Sequence, residues 1–179
     1  LLDTAAGGYA ESKALVERWH GRDRLLYAVT PRFAPTSTRA QMQLAGRLFA
    51  EHPGVFLQSH LAENRAEVDW ATQLHPEARS YLDVYARFGQ LGMRALYAHC
   101  IWLDDADRRR MADTGSAMSF CPTSNLFLGS GLFDLQRARD FAAAEVATGA
   151  GLVLDDDVLL ERALHLFSRQ AHDDVARPA

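Results

Sequence analysis

Residues 55–64 read VFLQSHLAEN, an apolar run that ends on a histidine and is followed three residues later by a glutamate. Pro53-Gly54 punctuates it upstream, so the run predicts a short buried strand with His60 at its carboxyl end. The same grammar recurs along the chain. LLYAVT (25–30) runs into Pro31-Arg32-Phe33, ALYAHCIW (95–102) carries His99, and AMSFC (117–121) runs into Pro122-Thr123-Ser124-Asn125. Between these runs, apolar residues at helical spacing predict helices over 9–20, 39–51, 64–73, 78–88, 104–113 and 134–144. A serine or threonine of the PTST loop caps the second of them and Gly115 closes the fifth. A weak strand is expected over EVAT, 145–148.

Short apolar strands alternating with longer amphipathic helices predict a parallel α/β sheet. In such folds the carboxyl ends of the strands carry the chemistry, and four consecutive strands here end in polar residues. No glycine-rich phosphate loop follows the first strand, which favours a (β/α)8 barrel over a doubly wound sheet. A complete barrel takes roughly 250 residues, so these 179 residues predict an incomplete (β/α)8 barrel of the TIM type. The partial barrel is assigned to residues 1–149. Residues 150–179 form a distinct C-terminal segment in which Leu160, Ala163, Leu164 and Phe167 share one helical face behind the acidic run Asp155-Asp156-Asp157.

The bulk composition is that of an ordinary globular chain, 48% hydrophobic and 23% charged, with a formal net charge of -4. Neither a nucleic-acid partner nor a membrane surface is suggested by that charge. No apolar stretch is long enough to span a bilayer, and two cysteines argue weakly for a reducing compartment, so a cytoplasmic location is expected. Cys100 and Cys121 read as buried thiols. They lack the spacing of a cysteine zinc site, and no nucleophilic Cys-His pair stands out.

Histidines at the ends of consecutive barrel strands face one cavity, which makes His60 and His99 candidates for metal or substrate contact. Zinc takes imidazole nitrogen and keeps an open position for water in catalytic sites, and Glu63 is spaced to shuttle that water's protons. Taken alone, His-x-x-Glu equally describes a solvated histidine and a helix-start glutamate, and His99 equally a satisfied core histidine. Arg32 can donate a fork of hydrogen bonds to a planar acceptor and Phe33 can stack on a planar ring; a surface arginine and a core phenylalanine are the plainer reading. Ser124 and Asn125 are expected to hydrogen-bond their own loop and help shape the pocket. His20, His52, His75, His165 and His172 are expected at the surface.

Together the strings GYAESKALVERWH, LLYAVTPRFAPTST, HLAENRAEVDW, YLDVYARFG, LYAHCIWL and SFCPTSNLFLGSGLFDL resemble the guanine deaminases of the amidohydrolase superfamily over about residues 1–141. That resemblance implies zinc-assisted conversion of guanine and water to xanthine and ammonia, one zinc ion per subunit in the full-length protein, and a homodimer. Residue by residue it makes His60 a zinc ligand, Glu63 the proton shuttle, His99 a group over the reacting centre, and Arg32 and Phe33 the purine clamp. Two departures matter. The family's His-x-His pair on the first barrel strand has no counterpart in these residues, and the aspartate that ends its eighth strand is missing from Ala147-Thr148-Gly149-Ala150-Gly151. Asp155 follows the next apolar run, several residues out of step. The chain is therefore expected to be a fragment, inactive by itself. Two alternatives stay open: a deaminase of another aminated heterocycle such as a triazine or pterin, and an inactive fragment that serves as a binding or dimerisation module.

Overall fold

The computed structural model describes residues 3–143 and 152–154. Helix α1, Ala5–Trp19, starts earlier than its apolar pattern because the Thr4 hydroxyl accepts the Gly7 N–H at 3.0 Å. Strand β1 is only Ala28–Val29. The predicted run from Leu25 is a correction: residues 21–25 close a tight turn through the Gly21 N–H to Leu25 carbonyl bond, leaving Leu25 and Leu26 exposed. A 3-10 turn, Ala34–Thr36, leads to α2, Arg39–Glu51, which is capped by a reciprocal Thr38–Gln41 box. Then come β2 (Phe56–Leu61), α3 (Arg65–Leu74), α4 (Tyr81–Arg87), β3 (Ala95–His99), α5 (Asp105–Thr114) and β4 (Ala117–Phe120). The sequence did not announce α6, Pro122–Phe127, which begins at a proline in the permissive first turn. Helix α7, Leu135–Ala143, and β5, Leu152–Leu154, complete the described elements. The expected 145–148 strand and the C-terminal helix fall outside the described residues.

All five strands are parallel and lie in sequence order, β1-β2-β3-β4-β5. A doubly wound sheet reverses its order at a switch point, whereas sequential parallel neighbours joined through helices are the order of a (β/α)8 barrel. This is an arc of such a barrel, as the alternation of the sequence predicts. Strand β2 alternates in burial along its length. Leu57, Ser59 and Leu61 are buried, while Gln58 and His60 on the other face are more open. Leu57 and Leu61, with Ala95 and Tyr97 of β3, join Met42, Leu82, Val84, Tyr85 and Met111 in the main core. A smaller cluster of Val16, Val29, Leu48 and Val55 seats α1 and α2 on β1. Fully burying a side chain of this size contributes roughly 1.5–3 kcal/mol.

Two local features lock the helices. Gly46 of α2 passes so close to the end of α4 that a Cβ would lie 1.8 Å from the Phe88 carbonyl oxygen. Helices α4 and α5 are joined by an ion network centred on buried Asp83, which takes Arg87 at 2.8 Å, Arg110 at 2.6 Å and the Arg79 backbone N–H at 3.0 Å. Burial alone would raise the Asp83 pKa; its arginine and backbone partners outweigh burial and hold it at about 2. Arg79 also pairs with Asp104 at 2.7 Å and with Asp107.

Candidate active site

Strand β2 ends by presenting His60, and its backbone and ring are held together. The Arg32 carbonyl accepts both the His60 backbone N–H, at 3.1 Å, and its ring Nδ1–H, at 2.7 Å. A carbonyl can only accept, so Nδ1 carries a hydrogen, and in the neutral ring Nε2 is the nitrogen left to act as an acceptor. The Ser59 hydroxyl lies within reach of the same carbonyl, at 3.2 Å, and of Tyr85 Oη, at 2.9 Å. Tyr85 in turn donates to the His60 carbonyl at 2.7 Å and accepts the Ala34 N–H at 3.1 Å. This buried tyrosine of α4 thus ties the strand end that carries His60 to the loop that carries Arg32 and Phe33. Burial pushes its hydroxyl up to about 12, against its hydrogen bonds, and it stays protonated as a donor.

His99 ends β3 at a φ of 72°, and Cys100 follows at 51°. Two consecutive non-glycine residues in the left-handed region cost of order 1–3 kcal/mol each and persist only where surroundings compel them. The Cys100 N–H donates to the Leu61 carbonyl at 2.9 Å, and the N–H groups of Ile101 and Trp102 both reach the Ala62 carbonyl at 3.1 Å. Those bonds hold the bend. The His99 ring is nearly buried and stacks on His60, with centroids 5.4 Å apart and an interplanar angle of 22°. Its Nδ1 lies 2.7 Å from Asn125 Oδ1, and its Nε2 lies 3.6 Å from Glu63 Oε2.

Glu63 follows Ala62, which is also left-handed at a φ of 51°. Its N–H donates to the Glu67 carboxylate at 3.2 Å, and Glu67 in turn donates its N–H to Asn64, the cap of α3. The other Glu63 oxygen, Oε1, accepts the Ser130 hydroxyl at 3.0 Å. Phe33 meets the edge of His60 at 6.3 Å and of Trp70 at 6.5 Å, and the Arg32 guanidinium lies over Phe33 at 5.9 Å. Arg32, Phe33, His60, Glu63 and His99, singled out from the sequence, therefore converge at one end of the sheet.

Three further residues join this constellation through contacts that the sequence did not announce. Tyr85 lies mid-helix, within YLDVYARFG. Asn125 was expected to bond its own loop and help shape the pocket, and its side chain reaches His99. Ser130 stands in a glycine-rich turn far from Glu63 in the chain. His75 is a correction of another kind: expected at the surface, it is 3% exposed, packed edge-on against Phe88. Of the two cysteines Cys100 is buried and donates to the Tyr97 carbonyl at 3.2 Å, whereas Cys121 is only partly buried.

A metal fits this site in part. Both imidazoles have Nδ1 engaged by an oxygen, as metal-bound histidines do; His60 has Nε2 to offer a metal, whereas Nε2 of His99 faces Glu63 at 3.6 Å. Among the described residues, however, no group of three or more His, Cys, Asp or Glu side chains lies together as metal ligands would. No helix among the described residues is long and apolar enough to cross a membrane.

The amidohydrolase family model matches residues 4–149. The guanine deaminase of Escherichia coli K12 is 51% identical over 138 residues, which is 77% of this chain and 31% of that protein. The crystal structure of guanine deaminase from Bradyrhizobium japonicum superposes with a TM-score of 0.80 at 38% identity, covering 88% of this chain and 33% of that one. A guanine deaminase structure from C. acetobutylicum with guanine bound superposes with a TM-score of 0.76 at 26% identity, covering 86% of this chain and 35% of that one. This chain spans about a third of the length of these relatives.

Proposed function

The chain belongs to the amidohydrolase family, and we propose that it forms part of a zinc-dependent guanine deaminase, converting guanine and water to xanthine and ammonia. The observation that carries this reading is the convergence of His60, Glu63 and His99, with Glu63 Oε2 held 3.6 Å from His99 Nε2. That gap brings an imidazole nitrogen and a carboxylate oxygen to one point, where both can act on the same proton-bearing group.

His60 would supply an Nε2 ligand to the metal, with the remaining ligands coming from outside the described residues. Zinc, when bound, acidifies a water molecule and stabilises charge that develops on the attacked carbon's substituents. Glu63 would pass the first proton of the attacking water to the ring nitrogen and its second proton to the departing amine, so that both protons of the water are accounted for. His99 Nε2 faces the same point and orients the groups that Glu63 serves. Phe33 offers its ring to one face of the purine, and Arg32 donates to the ring's carbonyl edge as a planar fork. Asp155, the residue after β5 in the chain, is a candidate for the missing aspartate and lies outside the described residues. The same reading carries a cytoplasmic homodimer.

The test is ammonia release by the zinc-loaded full-length protein across a panel of guanine, a pterin and an aminotriazine, with xanthine as the product from guanine. Preference for guanine supports the proposal; turnover of the triazine or pterin alone would transfer the site to another aminated ring. No turnover of any of them would leave the binding-module reading.

A further inference from the structure

We infer that Asn125 and Ser130 are a pair of positioning residues, one fixing the tautomer and orientation of His99, the other selecting which oxygen of Glu63 faces it. The inference rests on the proposed deaminase reading for its catalytic consequence, and on geometry alone for the arrangement itself.

The segment from Cys121 to Gly131 is built to hold these two side chains. Asn125 is 2% exposed, and its backbone is pinned at both ends: its N–H donates to the Cys121 carbonyl at 2.9 Å, and its carbonyl accepts the Ser130 N–H at 2.9 Å. Ser130 is likewise held on both sides, because its own carbonyl accepts the Trp102 indole N–H at 3.1 Å. Gly129 (φ 67°) and Gly131 (φ 134°) bracket it in backbone conformations that other residues adopt at a cost. At Gly131 a Cβ would lie 3.1 Å from Trp102 and from Ile101, so the turn lies directly on the residues that follow His99. With both its main-chain groups engaged, Ser130 is left with one free function, the hydroxyl, and that hydroxyl donates to Glu63 Oε1 at 3.0 Å.

The two contacts are complementary. The Asn125 amide oxygen can only accept, so His99 Nδ1 carries a hydrogen and donates it there, and Nε2 is the ring nitrogen turned towards the Glu63 carboxylate. Ser130 engages Oε1 and leaves Oε2 as the oxygen on the His99 side. On this reading each acts through a partner, Asn125 on His99 and Ser130 on Glu63. Because Ser130 donates its N–H to Asn125, the two clamps move as one unit.

The experiment uses the metal-loaded full-length protein with Ser130→Ala, Ser130→Thr, Asn125→Leu and Asn125→Asp. Removing a supporting hydrogen bond of this class costs about 10–100-fold in activity. Ser130→Ala and Asn125→Leu are therefore expected to lower kcat by about that factor while KM for guanine and bound zinc stay near wild type. Ser130→Thr, which keeps the hydroxyl, restores most of kcat. In a Glu63→Gln background, Ser130→Ala causes little further loss, because its effect runs through that carboxylate. Independently of turnover, two-bond proton–nitrogen spectra of the metal-free protein are expected to show His99 as the Nδ1–H tautomer in wild type and Asn125→Asp, and to lose that preference in Asn125→Leu. Ser130→Ala with unchanged kcat, equal losses with and without Glu63→Gln, or an unchanged His99 tautomer in Asn125→Leu would each overturn the inference. If Asn125→Leu does not fold, the Ser130 pair and the wild-type spectrum decide it. Wild-type protein that does not deaminate guanine contradicts the deaminase reading instead, and the tautomer spectrum then decides whether the clamp exists.

Discussion

His99 stacks on His60 although the two occupy opposite faces of a regular pair of strands. In the register of β2 and β3, His60 is matched with Ala98, and His99 is matched with Leu61, a core residue on the helix side of the sheet. A flat continuation of β3 would bury His99 among the helices. The left-handed backbone at His99 and Cys100 breaks the alternation, and the ring comes to lie 5.4 Å from that of His60. The fold concentrates backbone strain at the carboxyl end of this strand, where function gathers in barrels of this kind.

Tyr85 is expected to matter for substrate binding although it touches nothing but protein. Tyr85→Phe keeps the packed ring and removes the hydroxyl that joins Ala34, Ser59 and His60. Each buried group left unpaired costs about 1–3 kcal/mol. Denaturation of the full-length protein is expected to show a loss in that range, with a raised KM for guanine as the loop bearing Arg32 and Phe33 loosens. A variant with unchanged stability and KM would refute the role given to this hydroxyl.

Arg32 and Phe33 are assigned to ring recognition, so their replacement is expected to act on KM more than on metal binding. Arg32→Lys keeps the charge and loses the planar fork, and Phe33→Leu keeps apolar bulk and loses the flat face; each is expected to raise KM by about tenfold, or about 1.4 kcal/mol. Steady-state kinetics with zinc analysis checks this, and a fall in bound zinc with KM unchanged would contradict it.

Asp83 makes stability depend on acid pH. Its folded pKa of about 2 lies below the ordinary value of 3.8, so its contribution is present in full above pH 4 and is lost as the pH falls towards 2. The size of that contribution is on the order of 2 kcal/mol. Urea midpoints of wild type and Asp83→Asn are expected to differ at pH 7 and to approach one another by pH 2.5. A gap that stays constant across that range would show that the ion network is not the cause.

Gly46→Ala is expected to destabilise the chain by about 1–3 kcal/mol or more, the usual cost of forcing atoms into a filled core, because the added methyl would meet the Phe88 carbonyl. Thermal melting checks it; an unchanged midpoint would mean that α2 and α4 can move apart freely.

The strand ends and the residues they carry are legible in the sequence because apolar runs stop where the chain meets the cavity: His60, His99 and Arg32-Phe33 each follow such a run. Glu63 is legible because it follows His60 by three positions, just past the end of the strand. Asn125 is legible only as a residue that helps shape the pocket; its partner, like those of Tyr85 and Ser130, is not, since each acts across 25 or more residues of chain on an atom that only the folded sheet brings near. The shortness of β1 is hidden for a local reason: LLYAVT has strand composition throughout, but the turn at 21–25 takes up its first residue. His75 is hidden because a histidine before a proline reads as surface, whereas in the fold it packs edge-on against Phe88, thirteen residues on.

The most direct test of a zinc-bearing deaminase site at His60 is xanthine formation and bound zinc, measured together on the full-length protein and its His60→Ala variant. Wild type is predicted to hold about one zinc per subunit and to convert guanine to xanthine. His60→Ala is predicted to lose zinc together with at least about 1,000-fold of its rate, the scale of losing a group on which catalysis depends. A His60→Ala protein that keeps both its zinc and its deaminase rate would contradict the assignment.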